Sequence, residues 1–331
     1  MKKRLLVFLI LLGLFCAPAL ALSEEEEDAA LLEAAQAAVE QCVDESMTDV
    51  EKITALHDWM CLNVDYGLAP RAQTAYGAIV EGAAVCTGYA EGLAYLANLA
   101  GLDAVSTYSA AVDHAWILVT LDGERYFCDC TWDDGKNAKM GLIRHKYMLF
   151  NENNAADTNR YGWDSTESVP GGALEEVPWA DAVTRVIFEG EYAWFIDGEF
   201  RLIRCDRATW ETETLLDFED RWPVWEDDSM VYTELYTGLI LIRDRLYFNT
   251  PWAIYSVDTN GEHLKIEFTP DTTEGYVYGI AVRDGDLCYS LATEPDAVTY
   301  EVLDSGLFCW GAWGYENDPS DFWENLKKLM G

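Results

Sequence analysis

Three residues of this chain have the types and spacing for acyl-transfer chemistry: Cys86, His114 and Asp129. Cys86 stands in "GAAVCTGYAEGLAYLANLAGL", just ahead of Tyr89, Leu93, Leu96 and Ala100. These recur at three- and four-residue steps, as one face of a helix would. Thr87 and Gly88 can cap that helix, and Gly101 can stop it. The spacing therefore puts Cys86 at a helix N-terminus, where unpaired N–H groups and the helix dipole favour a thiolate. Taken alone, such a cysteine reads first as a small core residue and second as a nucleophile, because free cysteine is among the most buried types.

His114 and Asp129 come together through a hairpin. Asp122-Gly123, between "HAWILVTL" and "RYFCDCTW", is a two-residue turn signal. With Leu121 facing Glu124, His114 falls opposite Thr131 and Asp129 opposite Trp116. Side chains alternate with period two, so residues 114, 116, 129 and 131 share one face. Asp129 is then a diagonal neighbour of His114, about 7–8 Å away at the backbone and within side-chain reach. A carboxylate there would orient the imidazole through one nitrogen and stabilise its cation. Cys128 and Cys130 fall on the opposite face and read as packing residues. A helix-borne thiol followed by a histidine–aspartate hairpin is the set that nucleophilic acyl chemistry needs.

The motifs "KITALHDWMCLNVDYG", "AAVCTGYAEGLAYLANLAGL", "DHAWILVTLDGERYFCDCTWDD" and "HKYMLFNE", in that order, resemble a bacterial transglutaminase-like domain over roughly residues 49 to 165. The resemblance implies a papain-like α+β core, with Cys86 as nucleophile, His114 as general base and acid, and Asp129 as orienter. The expected substrates are protein or peptide, cell-wall peptide among them, and no cofactor or metal is expected. The segment "YMLFNENNAADTNRYGW" departs from the family, which often carries a His-rich or Ser-Asp stretch there; here it is polar and Asn-rich.

These residues need elements to hold them. Residues 28–44 and 49–65 read as helices, the second opened by the cap signal Thr48-Asp49-Val50-Glu51. A looser Gly- and Ala-rich stretch, 66–84, leads to the helix of Cys86, and "STYSAA" adds a strand before the hairpin. From about residue 183 the pattern is β-rich, with turns at Asp197-Gly198, Asn260-Gly261 and Asp284-Gly285. "RDRLYFNTPWAIYSVDTNGEHLK" and "RDGDLCYSLATEPDAVTYEVL" look like copies of one unit about 40 residues apart, and "EGEYAWFIDGEFRLIRCDRATWETETLL" like a diverged third. They resemble propeller blades but are too few for a ring, so an incomplete or atypical β assembly is expected.

The expected organisation is a signal peptide at 1–21, an acidic spacer and helix at 22–47 and a catalytic domain at 48–168. A linker at 169–182, a β-repeat domain at 183–315 and a closing helix at 316–331 complete it. Lys2, Lys3 and Arg4 precede an apolar run, and Ala19-Leu20-Ala21 offers a cleavage site, which predicts an exported protein with no membrane insertion after cleavage. The formal charge of −37 becomes −40 once those three basic residues are removed. That charge argues against nucleic acid and anionic lipid and reads as a solubility feature. Eight cysteines remain in the mature chain, too sparse for a stapled scaffold, with Cys42–Cys61 the one pair to entertain as a disulfide.

Other candidates have plainer readings. His57 and Cys61 could begin a metal site with Cys128 and Cys130, but the spacing matches no standard zinc pattern, and a helix face is the better reading. Trp116 and Trp132 either wall a cleft or fill core. The Cys86 N–H is the natural first oxyanion donor, with Gln73 or Tyr76 as a second. His145 and His263 have no identifiable partners, and Asp133-Asp134-Gly135 reads as a turn rather than a calcium loop. Nine of the 13 tryptophans lie at or beyond 179 and are expected to fill the β core. Two functions follow: an exported cysteine enzyme acting on amide bonds through a thioester, or a non-catalytic module binding cell-surface peptide or glycan. The complete Cys–His–Asp set favours the enzyme.

Overall fold

The computed structural model describes residues 23–110, 112–134, 141–151, 169, 177–218, 225–226, 231–232, 237–271, 273, 275–283, 286–292 and 307–308. The signal segment, Pro170-Gly171-Gly172, Cys309 and the 316–331 helix lie outside the described residues.

The chain opens with α1 (Glu24–Cys42), which begins earlier than its apolar pattern indicates. The acidic run Glu24–Glu27 is not a spacer but the first turn, and Ser23 and Glu26 close a capping box over it. Carboxylates at a helix N-terminus face the positive end of the dipole, so this run has a structural use. The same box, Thr48 with Glu51, starts α2 (Asp49–Asn63). The stretch after it holds β1 (Asp65–Tyr66), α3 (Ala75–Ile79) and β2 (Ala83–Ala84), with β1 and β2 paired in parallel. Then come α4 (Cys86–Leu99), β3 (Asp103–Ser109), β4 (His114–Leu121), β5 (Glu124–Cys128) and the short α5 (Cys130–Asp133).

Strands β3, β4 and β5 form an antiparallel sheet. The hairpin register is the expected one, from Leu121↔Glu124 to Ile117↔Cys128. One face of the sheet carries Ile117, Val119, Tyr126 and Cys128 into a core shared with Leu93, Leu96 and Ala97 of α4. The other face carries Trp116, Leu118 and Phe127, which pack with Phe150 and Val169.

The pairing ends at Cys128, so Thr131 does not face His114 as the extended register would require. Asp129 is the reason. It leaves the strand at φ −130° and ψ 83°, and its Oδ1 accepts from the Trp132 N–H at 3.3 Å, turning the chain into α5. Asp is a strong N-cap because its side chain replaces a missing backbone acceptor.

Beyond residue 186 the described residues with regular structure are all β. Strands β6 (Ile187–Glu189), β7 (Tyr192–Ile196), β8 (Arg201–Asp206) and β9 (Thr212–Asp217) form one antiparallel meander. A separate pair, β10 (Trp225–Glu226) and β11 (Val231–Tyr232), precedes a second meander of β12 (Leu239–Ile242), β13 (Arg245–Thr250), β14 (Ala253–Asp258) and β15 (Lys265–Phe268). The third sheet has β16 (Tyr276–Arg283), β17 (Asp286–Ala292) and β18 (Leu307–Phe308). The units at 189–216 and 243–265 fall on the first and second meanders, with Asp197-Gly198 and Asn260-Gly261 between strands; Asp284-Gly285 and residues 293–303 of the other unit lie outside the described residues.

The sheets stack in series. Trp194, Ile196 and Leu202 of the first meet Leu246, Phe248 and Val257 of the second. Tyr247 and Ile254 of the second meet Val277, Ile280 and Leu287 of the third. The described residues do not close into a ring. The first sheet's remaining face, with Ala193, Phe195, Ile203 and Cys205, joins the same core as α1, α2 and α4. Val177, Trp179 and Ala182, from the stretch read as a linker, are buried in that core too, and the Trp179 indole N–H donates to Thr54 Oγ1 at 3.1 Å. Arg207 reaches back across the junction, its Nε 2.7 Å from Glu51 Oε1 and its Nη2 2.8 Å from Glu51 Oε2.

Candidate active site

Cys86 is the first helical residue of α4, with Val85 rather than Thr87 or Gly88 in the capping position. No side chain caps this helix, so its first-turn N–H groups are left for whatever lies in front of Cys86. The helix start is held by backbone: the Val85 N–H donates to Ala72 O at 2.8 Å. Gly88 is required there, because a Cβ on it would lie 2.3 Å from Ala72 O. Gly101, at φ +87°, lies just past the other end.

His114, at the start of β4, is buried, and its Nε2 lies 2.6 Å from Asp129 Oδ2. The Asp129 backbone is fixed in turn, its N–H donating to Tyr147 O at 2.9 Å. Trp132 stacks on the imidazole at 5.0 Å between ring centroids, and Trp116 at 6.0 Å. The two tryptophans thus divide the readings: Trp116 is core, while half-buried Trp132 covers the histidine.

The cysteines are also sorted by environment. Cys86 is half-buried, whereas Cys61, Cys128, Cys130, Cys205 and Cys288 are buried. Burial pushes the thiols of Cys61, Cys128 and Cys130 well above the ordinary range, Cys42 up to about 12 and Cys205 up to about 11. Cys42 and Cys61 are both free, so the entertained disulfide is not formed; their sulfurs donate instead to Ala38 O and Cys130 O.

Two residues near Cys86 escaped notice in the sequence. Burial raises the phenol of Tyr66, and the hydrogen bond to Asp113 raises that of Tyr108; a thiolate at Cys86 adds to both shifts. Both side chains are exposed, and Tyr108 Oη donates to Asp113 Oδ1 at 2.6 Å. Tyr66 belongs to β1, paired with Ala84 two residues before Cys86, and Tyr108 pairs with Ala115 beside His114. The only signal for them was their place in Asp-Tyr-Gly and in a strand of mixed polarity. Gln73 is exposed, and Tyr76 lies under the Arg71 guanidinium at 4.5 Å, so neither gains support as an oxyanion donor.

His57 and His145 differ most from expectation. Rather than a helix edge and an unpartnered side chain, they are fully buried with Asp58 and Asp133. Burial works against a charge on His57, but hydrogen bonds to Asp133 and Asp58 outweigh it and raise its pKa to about 9. Asp133 is buried at the end of α5, and Asp134, its C-cap, accepts from the Tyr89 hydroxyl at 2.5 Å; Gly135 of the expected turn lies outside the described residues. His263 pairs with Asp258 on the surface, at 2.6 Å.

Residues 36–128 match the family model of the transglutaminase-like superfamily, a span that includes Cys86 and His114 and stops one residue before Asp129. The chain carries a transglutaminase-like domain. Human kyphoscoliosis peptidase is 26% identical over 135 residues, covering 34% of this chain and 20% of that protein, so the likeness spans a fifth of the relative's length. Among solved structures, a TGase is similar at 16% identity and TM-score 0.28, covering 35% of each chain. A candidate cysteine protease from Cytophaga hutchinsonii is similar at 21% identity and TM-score 0.25, covering 34% of this chain and 44% of that one. The family match thus covers the α+β core, and the described residues that follow it form β-sheets. No helix among the described residues is long and apolar enough to cross a membrane.

Proposed function

We propose that this protein is an exported cysteine enzyme that cleaves peptide or amide bonds through a thioester on Cys86. The observation that carries the reading is the buried His114–Asp129 pair, 2.6 Å apart, on a sheet packed against the helix that Cys86 begins. In the first step His114 Nδ1 takes the thiol proton, and Cys86 Sγ attacks the carbonyl carbon. The developing oxyanion meets N–H groups at the start of α4, the Cys86 N–H first. His114 then returns the proton to the leaving amine as the C–N bond breaks, giving the thioester. Asp129 steadies the imidazolium and holds the tautomer with Nδ1 free to accept.

Water as acceptor completes hydrolysis; an amine completes transamidation. Hydrolysis is the favoured reading, because water is always present as an acceptor and the tyrosines beside Cys86, Tyr66 and Tyr108, are exposed to it. The basic start, apolar run and Ala19-Leu20-Ala21 of the first segment support export, which makes extracytoplasmic peptide, cell-wall peptide included, the accessible substrate class.

The test is native-state labelling with a peptide carrying a thiol-reactive group, read by intact mass and peptide mapping. Single-site modification of Cys86, abolished by His114→Ala in a folded protein, supports the enzyme. Slow, unselective labelling of all reachable thiols would favour a binding module instead.

A further inference from the structure

Apart from the candidate active site, His57, Asp58, Asp133 and His145 make a fully buried cluster that acyl chemistry does not use. All four ring nitrogens face oxygen. His145 Nδ1 is 3.1 Å from Ala182 O, and a carbonyl only accepts, so this nitrogen carries a proton. His57 Nε2 is 3.2 Å from Asp133 Oδ2, which also accepts from the Tyr147 N–H at 2.9 Å. A proton on Nε2 satisfies that contact.

With both rings neutral, each has one N–H, and His57 Nδ1 and His145 Nε2 present lone pairs; the carboxylates that raise the His57 pKa favour the alternative, a proton on both of its nitrogens. His57 Nδ1 and His145 Nε2 both point at the same atom, Asp58 Oδ1, at 3.0 and 2.8 Å. Asp58 Oδ2 is already engaged by the Val186 N–H at 2.8 Å. In that neutral-ring state two nitrogen lone pairs and a carboxylate oxygen converge, a set that either a cation or an added proton on each ring would satisfy. Beside them, Asp133 Oδ1 is buried without a hydrogen-bond partner, and burial raises the Asp133 carboxyl above the usual range.

We propose that His57, His145 and Asp58 bind a divalent transition-metal ion of the zinc type. Their ligand atoms all lie within 4.8 Å of one another, a span that small inward shifts bring to the roughly 2.0–2.2 Å bonds of such an ion. Two imidazoles and one carboxylate suit zinc, whereas calcium and magnesium prefer all-oxygen sets. The outer partners have the form metal sites use: Asp133 orients His57, a backbone carbonyl orients His145 and a backbone N–H orients Asp58. Two added protons, one per ring, would supply the same charge as the ion and are the competing occupant. The role is structural. The ligands join α2 to the segment of His145, and their outer partners add α5 and the entry to the first β-meander, with Asp133 four residues from Asp129.

The experiment uses the mature chain without a histidine tag, stripped with a chelator and titrated with cobalt(II), then zinc. We expect one equivalent of cobalt to give a four-coordinate visible spectrum lacking a thiolate charge-transfer band. Zinc should displace it and raise the thermal midpoint, and His145→Gln should weaken binding by at least about tenfold. A folded wild-type chain that takes up no cobalt or zinc would overturn the site, leaving protons as its occupants. A thiolate band would overturn it as well, by moving the ion to cysteine. If His145→Gln does not fold, the wild-type spectrum and the zinc dependence of its melting still decide.

Discussion

Asp129→Asn separates the two tasks that Asp129 performs. Its Oδ1 caps α5 through the Trp132 N–H, and its Oδ2 lies 2.6 Å from His114 Nε2. Asparagine caps about as well as aspartate, so the cap should lose only a few tenths of a kcal/mol, against about 1 kcal/mol for alanine. The histidine contact changes sign. An amide N–H₂ turned toward Nε2 needs a lone pair there, which moves the ring proton to Nδ1 and leaves that nitrogen unable to take the thiol proton. In a serine triad the equivalent change costs about 10⁴ in rate. Papain-like sites tolerate asparagine, so a loss of about 10 to 10³, or roughly 1.4–4 kcal/mol in the barrier, is expected here. Cys128→Ser, one residue away but facing the α4 core, should lower stability and leave chemistry nearly unchanged. The assay pairs the labelling rate of Cys86 with a thermal melt for each variant. If Cys128→Ser abolishes labelling while Asp129→Asn labels like wild type, the assigned pair is wrong.

Three further outcomes follow from packing. Gly88→Ala should destabilise the protein by about 2 kcal/mol or more and slow Cys86 labelling, since its methyl would lie 2.3 Å from Ala72 O; an unchanged melt and labelling rate would mean that the helix start is not held as described. Glu51→Gln leaves half-buried Arg207 without its charge partner and should cost about 1.5–3 kcal/mol at neutral pH, measured by denaturant unfolding. Burial opposes the Glu51 charge, but Arg207 and Thr48 hold its carboxyl below the usual range, so its stabilisation is present above the unfolded-state value and should fade as pH falls through the folded one. A chain ended before residue 177 removes Trp179 from beside Thr54 and should fail to fold as a stable fragment; a cooperative, native-like melt would show instead that the transglutaminase-like core is independent of the first β-meander.

What the sequence displays and what it hides divide along a physical line. The Asp122-Gly123 turn fixes the hairpin register, because a two-residue loop leaves one way to pair, and period two then puts His114 and Asp129 on one face. The helix of Cys86 is equally plain from its apolar spacing. Asp129 is where local reasoning fails: extending the strand through "DCTW" is natural, yet the same aspartate that faces His114 also caps a helix and ends the strand. The cluster of His57, Asp58, Asp133 and His145 is hidden for another reason. Its members stand up to 88 positions apart, are polar, and carry no spacing that marks them as neighbours, so only the packing of α2 against α5 and the later segments assembles them. The junction with the β region is hidden in the same way. Residues 177–182 begin after a polar stretch and read as its continuation, but Trp179 and Ala182 turn inward because the first meander has an apolar face left over. In a stack of sheets, each face not covered by the next sheet needs another partner. Here the partner of the first sheet is the transglutaminase-like core itself.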